Sequence, residues 1–185
     1  MRNENGLVSK SYGIDEKLIG SSVKVDYGPL KDLYHGTSKE NALKILGPPW
    51  HINTDSKIGY CGQGFYCYYL EKDLAKIYAR TKPEFKNKEI AVLNLEIKIH
   101  NMFFLGYELY QEFKSRAKEI IKEKYNDDNK KAGDLFESFI VDYQIKNNID
   151  IQTVSKYHSH SRKKKQPVLM FAIRDDKIIE NIKLS

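Results

Sequence analysis

Lys31-Asp32-Leu33-Tyr34-His35-Gly36-Thr37-Ser38-Lys39-Glu40-Asn41-Ala42-Leu43-Lys44-Ile45-Leu46 is the stretch that decides the fold. Lys31 to His35 has the make-up of a short strand, and Gly36-Thr37 turns the chain into a helix beginning at Ser38. Thr37 followed three residues later by Glu40 is a capping-box spacing, in which a hydroxyl and a carboxylate satisfy the first free N–H groups of a helix. Ala42, Leu43, Ile45 and Leu46 supply its buried stripe. Gly47-Pro48-Pro49 ends it, because proline cannot continue the hydrogen-bond ladder, and a loop runs to about Gly59.

Working outward, Phe65-Tyr66-Cys67-Tyr68-Tyr69 is an aromatic strand, and residues 71–80 form a helix with Leu74, Ile77 and Tyr78 inward. Leu93, Leu95, Ile97 and Ile99 alternate with polar residues, which predicts a strand over 90–99. Two amphipathic helices follow, one burying Leu109, Phe113, Ala117 and Ile121, the other Leu135, Phe136, Phe139, Ile140 and Tyr143. Residues 126–129 are the turn between them. Strands are expected at 149–154, 168–173 and 178–184. Strands and helices intermix without the regular alternation of a doubly wound sheet, so the class is α+β.

The 185 residues suit one domain. Residues 1–28 lack periodicity and read as an arm or an irregular first element, leaving 29–185 as a single domain. With 41% hydrophobic and 30% charged residues the composition is that of a soluble globular protein. No run approaches the ~20 apolar residues of a membrane span, and the first residues lead into no apolar signal core. Cys61 and Cys67 are too few for a disulfide framework and wrongly spaced for a metal site, so none is expected. A reduced, cytoplasmic protein is the expectation. Lys156, Arg162, Lys163, Lys164, Lys165 and Arg174 lie in a stretch, 151–174, that contains no acidic residue. They account for the whole formal net charge of +6, and basicity concentrated in one place marks a partner surface or a solvated loop.

Three places carry chemistry: His35-Gly36-Thr37 at a strand end, the glycine-bracketed Gly62-Gln63-Gly64-Phe65-Tyr66, and Gln166 before the strand 168–173. Singly, each has an ordinary structural explanation. Together, Leu33-Tyr34-His35-Gly36-Thr37, Gly62-Gln63-Gly64-Phe65-Tyr66 and Ala75-Lys76-Ile77-Tyr78-Ala79 resemble the catalytic half of the PARP-like ADP-ribosyltransferases, over roughly residues 31–80. His35 and Tyr66 stand 31 residues apart, within that family's habit.

The resemblance implies a split, mostly antiparallel β core with flanking helices, NAD as donor, and His35, Tyr66 and Gln166 as catalytic residues. Cleaving the nicotinamide–ribose bond passes through an oxocarbenium-like transition state, as glycoside cleavage does. His35 is then placed to hydrogen-bond a ribose hydroxyl, the backbone of Gly36 to pair with the carboxamide, and Tyr66 to stack on nicotinamide with Tyr78 as a second wall. Thr37, Gly64 and Phe65 complete the expected donor site. The family normally has Glu where Gln166 stands; glutamine can bond a hydroxyl but brings no negative charge. That favours transfer of a single unit, or NAD hydrolysis, over polymer formation. Leu74 also stands near where relatives have a hydroxyl, and Tyr78 is one residue late.

In that superfamily the segment before the third motif faces the acceptor. Here it holds Tyr157, His158, His160, Arg162, Lys163, Lys164 and Lys165, cations with rings interleaved, as phosphates and unpaired bases require. RNA or DNA is the expected acceptor, with a protein acceptor as the alternative. Other readings are an RNA 2′-phosphotransferase, a silent NAD- or ADP-ribose-binding module, and a plain nucleic-acid-binding domain. Small single-domain transferases resemble, by analogy only, effectors of toxin–antitoxin or phage-defence systems, which implies an antitoxin partner.

Overall fold

The computed structural model describes residues 22–24, 29–47, 49–54, 58–59, 61–105, 115, 131–158 and 168–185. In chain order its elements are β1 (Ser22–Lys24), β2 (Leu30–Ser38), α1 (Lys39–Leu46), β3 (Ile58–Gly59), β4 (Gly62–Gln63), β5 (Phe65–Tyr69), α2 (Lys72–Thr81), β6 (Ile90–Ile97), β7 (Asn101–Leu105), α3 (Lys131–Asn147), β8 (Thr153–His158), β9 (Val168–Ile173) and β10 (Ile179–Leu184). Eight strands form one sheet in the order β1-β7-β8-β9-β5-β2-β6-β10, and β3 pairs with β4 in a small hairpin. Only β7 and β8 run parallel; every other neighbouring pair is antiparallel. The class is α+β, as composition and element order led us to expect.

β9 sits near the middle of the sheet and is buried along its whole length. Its side chains alternate between two cores, as a strand covered on both faces requires. Leu169, Phe171 and Ile173 join Leu33, Leu93, Leu95 and Ala42 on the face under α1. Val168, Met170 and Ala172 join Leu74 and Ala75 of α2 and Phe136 and Ile140 of α3 on the other.

Several expectations are corrected in detail. β2 runs on through Gly36 and Thr37, which pair with Val92 and Ala91 of β6, so the helix cap falls to Ser38, whose hydroxyl accepts from Asn41 N–H at 3.2 Å. Leu43 and Ile77, read as inward, are 56% and 55% exposed, because α1 and α2 present smaller residues to the sheet: Ala42 from one, Ala75 and Ala79 from the other. The strand expected at 149–154 begins only at Thr153. Asn148 has a φ of 49°, Ile149 N–H bonds back to Gln144 O and Ile151 N–H to the Gln144 side chain, so this stretch is consumed in closing α3. β7 and β1, the latter within the expected arm, were not expected; β7 has no alternation to betray it. Of the helix expected around Leu109 to Ile121 only Ser115 is described, in helical conformation; Leu109, Phe113, Ala117 and Ile121 lie outside the described residues, as do the side chains of Phe139 and Tyr143.

Candidate functional site

The sheet is thinnest between β2 and β5. Their ladder comprises only Leu33↔Tyr69 and Tyr34↔Tyr68. In an antiparallel ladder successive residues point their N–H and C=O groups to opposite sides. Val92 accepts from Ser185 N–H on the β10 side, so its β2 partner Gly36 is not bonded to it and turns its own N–H and C=O toward β5. There the next ladder pair would be with Tyr66. Instead the ring of His35 intervenes: its Nδ1 lies 2.7 Å from Tyr66 O, and the ring stacks on Phe65 with centroids 3.9 Å apart. The strand pair thus ends in a seam that a side chain closes.

A carbonyl can only accept, so Nδ1 carries the proton and donates it to Tyr66 O. Burial of the ring, with a smaller push from Lys82, holds the His35 pKa down to about 4 against the pull of that hydrogen bond. At neutral pH the imidazole is uncharged and its Nε2 is an acceptor. An acceptor at a fixed position is what a sugar hydroxyl needs.

At this seam opens a cavity of about 670 Å³, within the range of small-molecule sites. His35 and Thr37 come to its wall from β2, Gly64, Phe65 and Tyr66 from β5 and the residue before it, and Tyr78 from α2. Tyr66 does not offer its hydroxyl to the cavity. The hydroxyl accepts from Cys61 N–H at 2.9 Å and donates to Gly62 O, and burial pushes its pKa up, so the phenol stays protonated and the ring is fixed. Tyr78 stands edge-on to Tyr68, with Lys82 Nζ 5.2 Å from its ring centre. Gly36 is buried behind His35 and Thr37, and a Cβ there would lie 2.0 Å from Ala75 O. Close packing of α2, rather than approach of a ligand to its Cα, therefore demands glycine.

Other site residues fall differently. Gln166, His160 and Arg162 to Lys165 lie outside the described residues, as does the side chain of His158. Tyr157, expected to stack on an acceptor base, packs edge-on against Phe104 at 5.5 Å beside the core under α1, so its ring is committed to the fold. Two of the six cations of the basic stretch are not partner surface either. Lys156 is only 2% exposed, and Arg174 is paired with Glu137. Cys61 and Cys67 are buried free thiols; burial pushes Cys61 up to about 12 and Cys67 upward too, which makes both unreactive. Among the described residues no cluster of His, Cys, Asp or Glu is placed to hold a metal, and no helix is long and apolar enough to cross a membrane.

No local pattern announces the device that holds the Gly62-Gln63-Gly64 turn. Arg174, just after β9, grips Glu137 of α3 with two hydrogen bonds of 2.8 and 2.6 Å, both side chains being 13% exposed. The pair then takes both backbone groups of Gln63: N–H donates to Glu137 Oε2, and C=O accepts from Arg174 at 3.2 Å. Burial raises the Glu137 pKa, but the Arg174 guanidinium and the Gln63 N–H outweigh it and hold the carboxyl below its ordinary range. Gly62, at a φ of 75°, leaves no room for a Cβ beside the Glu137 carboxylate. Lys44, Lys82 and Glu84 also reach the cavity wall, and only the order of elements could have pointed to them.

Compared with known proteins, the chain matches no family model, no curated protein and no solved structure.

Proposed function

We propose that this chain is an NAD-dependent mono-ADP-ribosyltransferase that modifies a nucleic acid. The observation that carries the reading is the meeting of His35, Tyr66 and Tyr78, from three separate sequence motifs, on the wall of one cavity at the β2–β5 seam. In this reading Nε2 of His35 takes a hydroxyl of the adenosine ribose, the backbone of Gly36, turned toward β5, pairs with the carboxamide, and nicotinamide stacks on the fixed ring of Tyr66. The bond from nicotinamide nitrogen to ribose carbon breaks with its electron pair leaving on nicotinamide. A nucleophile of the acceptor bonds to that carbon and gives up its proton. Gln166 orients the ribose at the start of this event, and Arg162 to Lys165 collect the acceptor's phosphates.

Incubation with NAD labelled in the adenylate, together with RNA, DNA and cell lysate, tests this. Release of free nicotinamide with label in the nucleic-acid fraction is the expected result. Label confined to polypeptide moves the acceptor to protein and leaves the transferase standing.

A second reading is favoured by the cavity wall itself, on which Glu84 is the sole carboxylate among the described residues. An NAD- or ADP-ribose-binding module without catalysis would show saturable NAD binding and no nicotinamide. A 2′-phosphotransferase, which needs arginines around a phosphate, has none on the described wall.

A further inference from the structure

α2 and the residue that caps it send side chains in two directions. Tyr78 and the C-cap residue Lys82, four apart, line the cavity just described. Lys76 and Arg80, also four apart and so on one helical face, line a separate groove of about 470 Å³ together with Phe85, Lys86, Lys88 and Glu89. Phe85 belongs to both, so the groove and the cavity share a wall.

The groove is positive. Its one carboxylate, Glu89, is taken by Lys39, whose Nζ lies 3.0 Å from both oxygens. Lys88 approaches Glu40 only to 3.9 Å, and that carboxylate is already bonded to Lys44 at 2.6 Å. The described ion pairs give Lys76, Arg80 and Lys86 no carboxylate at all. The backbone beneath is rigid: Lys86 N–H bonds to Pro83 O and Lys88 N–H to Phe85 O in a tight turn with Asn87 at a φ of 64°. Four cations thus stand along a fixed channel that ends at an aromatic ring.

We infer that this groove carries the sugar–phosphate backbone of the single-stranded nucleic acid whose base is presented at the cavity. The inference rests on the transferase reading for the direction of travel. The choice of a single strand follows from chemistry, since a base reacting in a cavity must be out of its stack, and a cationic track leading to an aromatic platform is how unpaired strands are held. It enlarges the acceptor surface beyond the loop before β9 to α2 and the turn that follows it.

The test is binding of a fluorescein-labelled, mixed-sequence single-stranded oligonucleotide to the full chain, without NAD, across a range of salt. The Arg80→Gln/Lys86→Gln/Lys88→Gln variant changes exposed residues off the cavity wall, and its thermal midpoint reports that it remains folded. Affinity is expected to fall about tenfold or more near 0.1 M salt. The slope of log K against log salt should flatten by roughly two units, three lost contacts at about 0.7 each.

Parental affinity and slope in the folded variant overturn the proposal, and so does a parent that binds no oligonucleotide. Displacement by polyglutamate as effective as by unlabelled oligonucleotide overturns it in favour of an acidic polypeptide. Nicotinamide release is read separately: a parent that binds strands through this groove yet releases none sinks the transferase reading and leaves the groove standing.

Discussion

At the scale of single residues, two side chains near the seam have separable tasks. His35 is uncharged in the fold, with a pKa near 4 against an ordinary value of 6.5. The unfolded chain therefore binds the extra proton first, and stability contributed by the neutral ring is complete above about pH 6.5 and is lost as the pH falls toward 4. The loss is at most about 3 kcal/mol. Urea titrations from pH 7 to 4 should show it, and His35→Gln, which has no titrating group, should have a flatter profile over the same window. An unchanged slope in that variant places the acid sensitivity elsewhere. Tyr66 gives a contrast between ring and hydroxyl. Tyr66→Phe keeps the ring but strands Cys61 N–H and Gly62 O, so it should cost about 1–3 kcal/mol of stability while leaving most NAD turnover. Tyr66→Ala removes the ring as well and should lower turnover on the order of a hundredfold. Equal turnover loss in both variants, measured as nicotinamide release, makes the hydroxyl the working part.

Among elements, the Glu137–Arg174 pair ties α3 and the end of β9 to the β4 turn. Removing one partner leaves the other charged and largely enclosed, a loss on the order of 3 kcal/mol or more. Glu137→Gln and Arg174→Gln should therefore each destabilise strongly in urea, and the double variant should cost much less than their sum. Additive losses instead show that the two side chains act independently. This clamp also marks where sequence reading stops. The alternation of residues 90–97, the apolar run 168–173 and the Gly-x-Gly turn are local patterns, and each was legible, whereas Gly36-Thr37, read as a turn, continues β2. Glu137 and Arg174 stand 37 residues apart, and nothing local in either position announces the other. Lys156 shows a different failure. With β8 placed too early it read as loop, whereas in its true register it shares a face with Val154, pointing into the core that α3 covers.

At the scale of the whole molecule, charge and architecture diverge from what a tally of residues implies. The basic stretch looked like a single six-charge surface, yet Lys156 is buried and Arg174 belongs to the clamp, while a second set of cations on α2 and the turn after it is interspersed with Asp73, Glu84 and Glu89 and so forms no unbroken basic run. The sheet itself divides at the β2–β5 seam into β2, β6 and β10 on one side and β5, β9, β8, β7 and β1 on the other. His35 and Thr37 spend their amides on β6, whereas the amide of Gly36 faces the end of the ladder. In deuterium oxide the Gly36 amide should therefore exchange at least about a hundredfold faster than that of Thr37, and saturating NAD should slow Gly36 selectively. Equal protection at the two sites means that the strands are laced together after all. Only two residue pairs lace the half-sheets backbone to backbone, the rest of their union being the side-chain cores on the two faces, so a molecule lodged at the seam acts as a stitch. Occupancy of the cleft is then convertible into stiffness, so a ligand can be detected by how slowly the protein opens as well as by what it releases.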